Sequence, residues 1–168
     1  MRFQRSVVVA VAVVATVAVL CPAWSHAQVL TERNVSTQLA LAMANAAIAA
    51  CKADGYDVSV VVVDRAGEVK LLMRADTANP HNADLARRKA YTARTFGVPS
   101  MEVAKRTNGP TELSGQRFIT DIIPLGGGLP ILIGTDKIGG LGLSGAPTQE
   151  ADEKCATAGL AAVAASLR

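Results

Sequence analysis

The feature that most constrains this chain is a glycine-rich stretch near its C-terminus, Gly139-Gly140-Leu141-Gly142-Leu143-Ser144-Gly145. The residues around it predict a strand that leads into a helix. Glycine inside a strand lets another backbone approach closely, because it has no side chain to keep that backbone away. We therefore expect this strand to pack tightly against a helix or against another subunit.

The same stretch also fits the G-x-G-x-x-G pattern of dinucleotide-binding proteins over Gly140–Gly145. That site needs a second parallel strand and an acidic residue about 20 positions further on, within one βαβ unit. Only 23 residues follow Gly145, and one helix consumes them. We do not predict a nucleotide site here.

Apolar periodicity, turn residues and capping residues divide the rest of the chain into helices and strands. The predicted elements are a helix over Leu30–Asp54 capped by Thr31, strands over Asp57–Val63 and Glu68–Arg74, helices over Ala83–Phe96 and Ser100–Arg106, strands over Phe118–Ile123, Leu129–Thr135 and Lys137–Ser144, and a final helix from Pro147 to about Leu167.

The order of elements is thus α-β-β-α-α-β-β-β-α. Links of hairpin length favour antiparallel pairing. We therefore predict a single-domain α+β fold with an antiparallel sheet of about five strands flanked by helices.

The N-terminus has the pattern of a secretory signal peptide. Two arginines precede the apolar run Val7–Leu20, and Ser25-His26-Ala27 supplies small residues at a cleavage site. We expect residues 1–27 to be removed and the mature domain to span 28–168, in the periplasm or outside the cell. An uncleaved anchor is the alternative, but the run is shorter than the roughly 20 residues that a spanning helix needs. A lipoprotein anchor on Cys21 is a further alternative, disfavoured by the bulky Leu20 before it.

Export would place the other two cysteines, Cys51 and Cys155, in an oxidising compartment. They fall in the first and last predicted helices. Two readings stay open, a disulfide that ties the ends of the domain together or two buried apolar thiols.

Charge argues against a nucleic-acid partner. The whole chain has a net charge of +3, but Arg2 and Arg5 lie in the predicted signal peptide, which leaves 15 basic and 14 acidic side chains. A net charge of +1 lacks the basic excess that phosphate binding requires.

Three common catalytic and metal-binding motifs are missing from the sequence. It contains no G-x-S-x-G, H-E-x-x-H or C-x-x-C pattern, and His81 is the only histidine after residue 27. A cofactor held by one imidazole, such as haem, remains compatible with this inventory. The alternative is a solvated histidine in the turn before a helix.

Cations near that histidine have two interpretations. Arg87-Arg88-Lys89 and Arg94 fall on one predicted helix, and Arg74 lies just upstream. They form either a solvated face or contacts to an anionic ligand such as a haem propionate. Met73, Met101 and Tyr91 are further candidate ligands that equally suit a core.

The chain resembles the GlcG/HbpS-like family, known as a haem-binding or haem-degrading domain. The segments that carry the resemblance are Val60–Asp64 with Gly67, Leu85–Ala93 with Phe96, Gly126–Ile131, Ile138–Ala146, and Asp152 with Cys155-Ala156 and Ala158-Gly159. The glycine-rich segment is the specific part, and together the segments span nearly the whole mature domain.

The resemblance implies an α+β fold, a homo-oligomer and haem as cofactor. His81 is the axial ligand of the haem iron under this interpretation, with Arg74, Lys89 and Tyr91 as pocket or propionate contacts. The function implied is an exported haem-binding protein that captures or buffers haem or passes on an oxidative-stress signal. No catalytic residue is identified; weak haem degradation is the one activity the resemblance suggests.

Two other functions stay open. One is a periplasmic accessory protein or enzyme that acts on a small organic acid or another metabolite without haem, with a polar pocket built from Asp64, Arg74, Lys89, Thr92 and Ser144. The other is an interaction module whose oligomer surface binds another periplasmic protein without a small ligand.

Overall fold

The computed structural model describes residues 29–168. The predicted signal peptide, 1–27, lies outside them. The chain divides into two units, residues 1–32 and 33–168. Residues 29–32 of the first unit form no helix or strand, and the second unit is an α+β domain. Its elements are α1 Thr37–Ala53, β1 Ser59–Val63, β2 Val69–Arg74, α2 Asn82–Phe96, α3 Ser100–Arg106, a 3-10 helix Ser114–Phe118, β3 Gly128–Ile133, β4 Asp136–Ser144, α4 Gln149–Ala162 and a short 3-10 helix Ala164–Ser166.

The sheet has four antiparallel strands in the order β2-β1-β4-β3. The predicted fold class is confirmed, but the strand predicted over Phe118–Ile123 is wrong. That segment runs from a 3-10 helix into a loop, and its backbone bonds to side chains of α2 instead of to a strand. Thr92 Oγ1 accepts from the Ile123 amide (2.9 Å), and the Arg88 guanidinium donates to the Ile122 carbonyl (3.0 Å).

The glycine face of β4 packs directly on α2, as the sequence predicts. A Cβ atom at Gly142 would overlap the carbonyl oxygen of Ala86, and one at Gly140 would overlap that of Ala90. Because these obstacles are backbone atoms, only glycine permits this distance between helix and sheet.

The opposite face of the sheet carries the main core. Helices α1 and α4 cover Val60, Val62, Leu141 and Leu143 there, all almost fully buried. Helix α1 begins later than predicted, because Ser36 and not Thr31 is its cap. The Ser36 hydroxyl accepts from the Leu39 amide (3.1 Å), which satisfies one free donor of the first turn.

A disulfide joins Cys51 of α1 to Cys155 of α4, with their Cα atoms 5.5 Å apart. Both cysteines are almost fully buried. The bond connects the two helices that cover the same face of the sheet.

Among the residues that the structure describes, no helix is long and apolar enough to cross a membrane.

Candidate functional site

His81 stands immediately before α2, as its N-cap residue, and is exposed. Its side chain makes no capping hydrogen bond. It is the only histidine in the described part of the chain. Its imidazole is therefore accessible from solvent.

Arg74 ends β2, where its backbone pairs with Ser59 of β1. The residue is exposed, and within residues 29–168 its guanidinium makes no ion pair or hydrogen bond. An exposed guanidinium without a carboxylate partner keeps all its donors available to an anion.

Arg74 and His81 lie at the two ends of one short connection, residues 75–80, between β2 and α2. Tight hydrogen bonds fix this connection: the Ala75 amide donates to the Val58 carbonyl (3.1 Å) and the Ala78 amide to the Ala75 carbonyl (3.0 Å). Ala78 is also buried. The structure therefore brings these two predicted site residues to one ordered segment at the same end of the sheet.

Tyr91 lies on the middle of α2, half-buried over the turn between β1 and β2. A Cβ atom at Gly67 in that turn would come within 2.8 Å of Tyr91 Cε2. The ring therefore packs on the hairpin turn, where glycine leaves space for it.

Lys89 is buried, on the face of α2 that meets the sheet. Its ammonium group donates to Asp152 Oδ2 (2.7 Å) and to the Leu143 carbonyl (3.0 Å). The second carboxylate oxygen of Asp152 accepts from the Ala146 amide (3.0 Å). For Lys89 to contact a bound anion, this buried pair would have to open.

The Lys89–Asp152 pair is the main feature of the site region that the sequence alone did not reveal. The side chains are only 4% and 5% exposed. Burial raises the pKa of the Asp152 carboxyl above its usual value, against the opposing effects of the Lys89 charge and hydrogen bond. One signal in the sequence could have indicated the pair: Lys89 falls among the small residues on the core-facing side of α2, where a buried lysine requires an acidic partner.

The other polar residues considered for a metabolite pocket have separate structural contacts. Asp64 caps the β1–β2 turn by accepting from the amides of Ala66 (2.8 Å) and Glu68 (3.1 Å). The Thr92 hydroxyl accepts a hydrogen bond from the Ile123 amide, and Ser144 is buried in β4. The structure does not bring them together in one cleft.

One cleft includes Arg74, and we call it the Arg74 cleft. Its volume is about 490 Å³, and it is lined by Ile48, Lys52, Asp57, Met73, Arg74, Ala75, Asp76 and Thr77. Half-buried Ile48 and Met73 pack against the main core and give it an apolar floor. Residues 74–77 form both one wall of the cleft and the start of the connection that leads to His81.

Charges in the Arg74 cleft are partly matched. Lys52 Nζ lies 2.9 Å from Asp57 Oδ1, and the Thr77 hydroxyl donates to the other oxygen. The hydrogen bonds from Thr77 and Lys52 lower the pKa of Asp57 from its usual value. Arg74 and Asp76 then remain as the unmatched charges of the cleft.

Two further clefts differ in lining. One, of about 370 Å³, lies between α3 and α4; its lining residues are Met101, Lys105, Glu150, Glu153, Lys154 and Thr157. The other, of about 470 Å³, has no charged residue; its lining residues are Ser36, Gln38, Leu39, Ala42, Ala162, Val163 and Ser166. Within residues 29–168, no group of three or more His, Cys, Asp or Glu side chains is placed to hold a metal ion.

Comparison with known proteins gives one family. A family model described as "Haem degrading protein HbpS-like" matches residues 35–161. An uncharacterized 15.0 kDa protein from the dhaT-dhaS intergenic region of Citrobacter freundii is 32% identical over an alignment of 126 residues, and the match covers 70% of this chain and 89% of that protein.

Solved structures agree with this match. A double mutant of HbpS from Streptomyces reticuli is 34% identical with a TM-score of 0.76, over 84% of this chain and 95% of that one. PduOC, solved as a complex with haem, is 26% identical with a TM-score of 0.72, over 77% of this chain and 95% of that one.

Proposed function

Because this chain belongs to the HbpS-like family, we propose that it binds haem, with His81 as the axial ligand of the iron. The observation that carries the proposal is the likeness to PduOC, which was solved with haem bound. The match covers 95% of the PduOC chain.

The residues present fit such a group. Haem iron needs as few as one protein imidazole, and His81 is exposed, uses no ring nitrogen for capping and follows a fixed turn. Bound haem would supply a redox-active iron; the protein's part is to hold it, to provide the imidazole and to balance the propionate charges.

We extend the proposal to the setting of the protein. The N-terminal sequence pattern supports export with removal of residues 1–27, so haem would be captured or buffered in the periplasm or outside the cell, or its oxidation state relayed to a partner. The family resemblance supports a homo-oligomer. N-terminal sequencing of the exported protein and its mass in solution test these two points.

The haem proposal is tested by titrating the purified protein with hemin while recording the visible spectrum. We expect a saturable, sharpened Soret band near one haem per subunit, abolished or shifted in position by His81→Ala. Asn79→Ala, a change of an exposed side chain in the same connection, is the matched control and should leave the band intact.

Each outcome is decisive. No saturable band in the wild type would contradict haem binding and leave a metabolite or a protein partner as the ligand. An unchanged band in His81→Ala would keep haem but refute the ligand. Incubation of the loaded protein with ascorbate in air separates binding from degradation, because only degradation removes the Soret band faster than in free hemin.

A further inference from the structure

We propose that Asn108, in the loop after α3, is a modification site at which the side-chain amide is lost without an enzyme. The main-chain nitrogen of Gly109 is the nucleophile of this deamidation, and an acidic residue replaces the asparagine. The inference goes beyond the proposed function, since it concerns neither His81 nor any of the three clefts.

The reaction has two steps. The Gly109 amide loses its proton, and its nitrogen bonds to Cγ of Asn108 while the Cγ–Nδ2 bond breaks and ammonia leaves. The product is a cyclic imide. Water then opens this ring at either of its carbonyl carbons, which gives aspartate or isoaspartate at position 108. Nothing is oxidised or reduced, and water is the only co-reactant.

The Gly109 nitrogen is free to react. Among the hydrogen bonds of residues 29–168 its amide donates to none, although the Gly109 carbonyl accepts from the Thr111 amide (3.0 Å). Gly109 is exposed, has a φ of 75°, and a Cβ atom there would meet nothing within 4 Å. Because glycine has no side chain and the space around it is open, solvent reaches the nitrogen.

The Asn108 side chain is equally available. The residue is exposed, and its side-chain amide makes no hydrogen bond to the described part of the chain. Its backbone amide donates to the Lys105 carbonyl at 3.4 Å, which is a weak bond. An Asn-Gly pair is typical of turns, and no contact here holds the side chain away from the nitrogen that follows it.

Two other asparagines lack a nucleophile of this kind. Asn34 Oδ1 accepts from the amides of Val35 (2.8 Å) and Arg65 (3.0 Å). The β-branched side chain of Val35 also crowds the nitrogen that would attack. Asn79 is followed by Pro80, which has no N–H group.

The two remaining asparagines lie in helices. Asn45 is inside α1, where the amide of the next residue is bonded within the helix. Asn82 begins α2 and is only 4% exposed, so water has little access to it. Of the asparagines, Asn108 alone therefore combines an exposed side chain with a free amide in the next residue.

Asp54-Gly55 is a useful comparison, because an aspartate before glycine forms the same cyclic imide. The Gly55 amide donates to the Lys52 carbonyl (3.0 Å), and the Asp54 carboxylate is paired with Lys154 (2.6 Å). Both reacting groups are thus engaged, although the sequence resembles that of the proposed site. The structure, and not the glycine alone, distinguishes the two positions.

Deamidation would change the charge of a basic surface. Arg106 stacks on the Phe96 ring, 4.7 Å from its centroid, and Arg117 donates to the Thr107 hydroxyl (3.3 Å). Within residues 29–168 neither guanidinium has an ion pair, and the Nε atom of each is buried without a partner. A carboxylate at position 108 would be added to the loop that connects two arginines without an acidic partner.

Mass spectrometry of the incubated protein tests the proposal. Trypsin releases residues 107–117 as one peptide, in which we expect a mass increase of about one dalton and both aspartate and isoaspartate. The rate in the folded protein should lie within about threefold of the rate in the same synthetic peptide, because the structure gives the site no protection. It should rise by up to about tenfold from pH 7 to pH 8, because the deprotonated amide reacts.

Two variants test the reacting groups. Gly109→Ala places a methyl group beside the nitrogen and should slow the reaction by about tenfold or more. Asn108→Gln should abolish the change in this peptide, because the longer side chain would have to close a larger ring. Asn45→Gln, which alters an exposed side chain in α1, is the matched control and should leave the rate at position 108 unchanged.

Three results would overturn the assignment. One is protection of Asn108 in the folded protein by more than about tenfold relative to the synthetic peptide. Another is earlier modification at a different asparagine or at Asp54. The third is an unchanged rate in the 107–117 peptide of Asn108→Gln, which would move the modification to Gln116.

Discussion

Lys89 and Asp152 form a buried ion pair, 2.7 Å apart, although 63 residues separate them in the sequence. The pair joins the middle of α2 to the first turns of α4 across the end of β4, since Lys89 also bonds to the Leu143 carbonyl and Asp152 to the Ala146 amide. Two helices on opposite faces of the sheet are thereby connected through one charged contact.

We predict that removing one partner of this pair is far more damaging than removing both. Asp152→Ala leaves the Lys89 ammonium buried without a counter-charge, which should lower the free energy of unfolding by about 3–5 kcal/mol. The double variant Lys89→Met, Asp152→Leu removes both charges and should recover most of that loss. Urea denaturation measures all three proteins.

The exposed pair Lys154–Asp54 supplies the control for that experiment. The nitrogen–oxygen distance in this pair is as short as in the buried pair. Because solvent screens the exposed charges, Lys154→Ala should leave the unfolding midpoint almost unchanged. A double variant as unstable as Asp152→Ala would show that the pair itself, and not the desolvated lone charge, provides the stability.

The buried carboxyl also predicts a pH dependence. Burial raises the pKa of folded Asp152 above the value of 3.8 that the unfolded chain has. The folded state therefore binds more protons in the window between these two pKa values. The favourable contribution of this carboxyl is complete below pH 3.8 and is lost as the pH rises through that window, so the stability of the wild type relative to Asp152→Asn should fall across it.

Asp121 should show the opposite sign. The Arg87 guanidinium, 2.7 Å away, lowers the pKa of Asp121, so its contribution is present above pH 3.8 and is lost as the pH falls. Because both side chains are partly exposed, the effect should be smaller. Stability curves from pH 3 to 7 for the two Asn variants would contradict this account if both slopes had the same sign.

Much of the fold could be predicted because local chemistry determines it. Glycine alternation in β4 required a backbone-close partner, and α2 is that partner. The prediction of a strand over Phe118–Ile123 was wrong because it relied on the apolar residues of the segment. The backbone of this segment bonds instead to the side chains of Arg88 and Thr92, on a helix that is distant in sequence. Hydrogen bonds of that kind leave no local pattern in a sequence.

The candidate site likewise has features that the sequence predicts and features that only the structure reveals. His81 and Arg74 could be selected by residue type, since an imidazole and a cation before a helix are visible in the sequence. The Arg74 cleft could not, because Ile48 and Lys52 come from α1 and reach Arg74 only through tertiary packing. The role of Lys89 depends likewise on Asp152, which the fold alone brings to it.

The disulfide should be a major source of stability. Cys51–Cys155 closes most of the domain into one loop, with a sequence separation of 104. Constraint of the unfolded chain by a bond of this kind contributes about 2–5 kcal/mol. The double variant Cys51→Ala, Cys155→Ala should therefore unfold at a lower guanidinium concentration than the wild type. Dithiothreitol should lower the unfolding midpoint of the wild type but not that of the double variant. Two free thiols in the oxidised, denatured wild type would contradict the bond.

The contact between β4 and α2 predicts which glycines can be replaced. A methyl group at Gly142 would meet the carbonyl oxygen of Ala86 and, at 2.6 Å, the amide nitrogen of Ala90. Backbone atoms in a helix cannot move aside as a flexible side chain can. Gly142→Ala should therefore push α2 from the sheet and lower the free energy of unfolding by about 1–3 kcal/mol or more.

Gly115→Ala is the matched control, because a Cβ atom there meets nothing within 4 Å and the residue has no positive φ. That variant should equal or slightly exceed the wild type in thermal stability, since alanine reduces the entropy of the unfolded chain. If Gly142→Ala melts at the same temperature as Gly115→Ala, the helix does not pack on the bare face of the strand in solution.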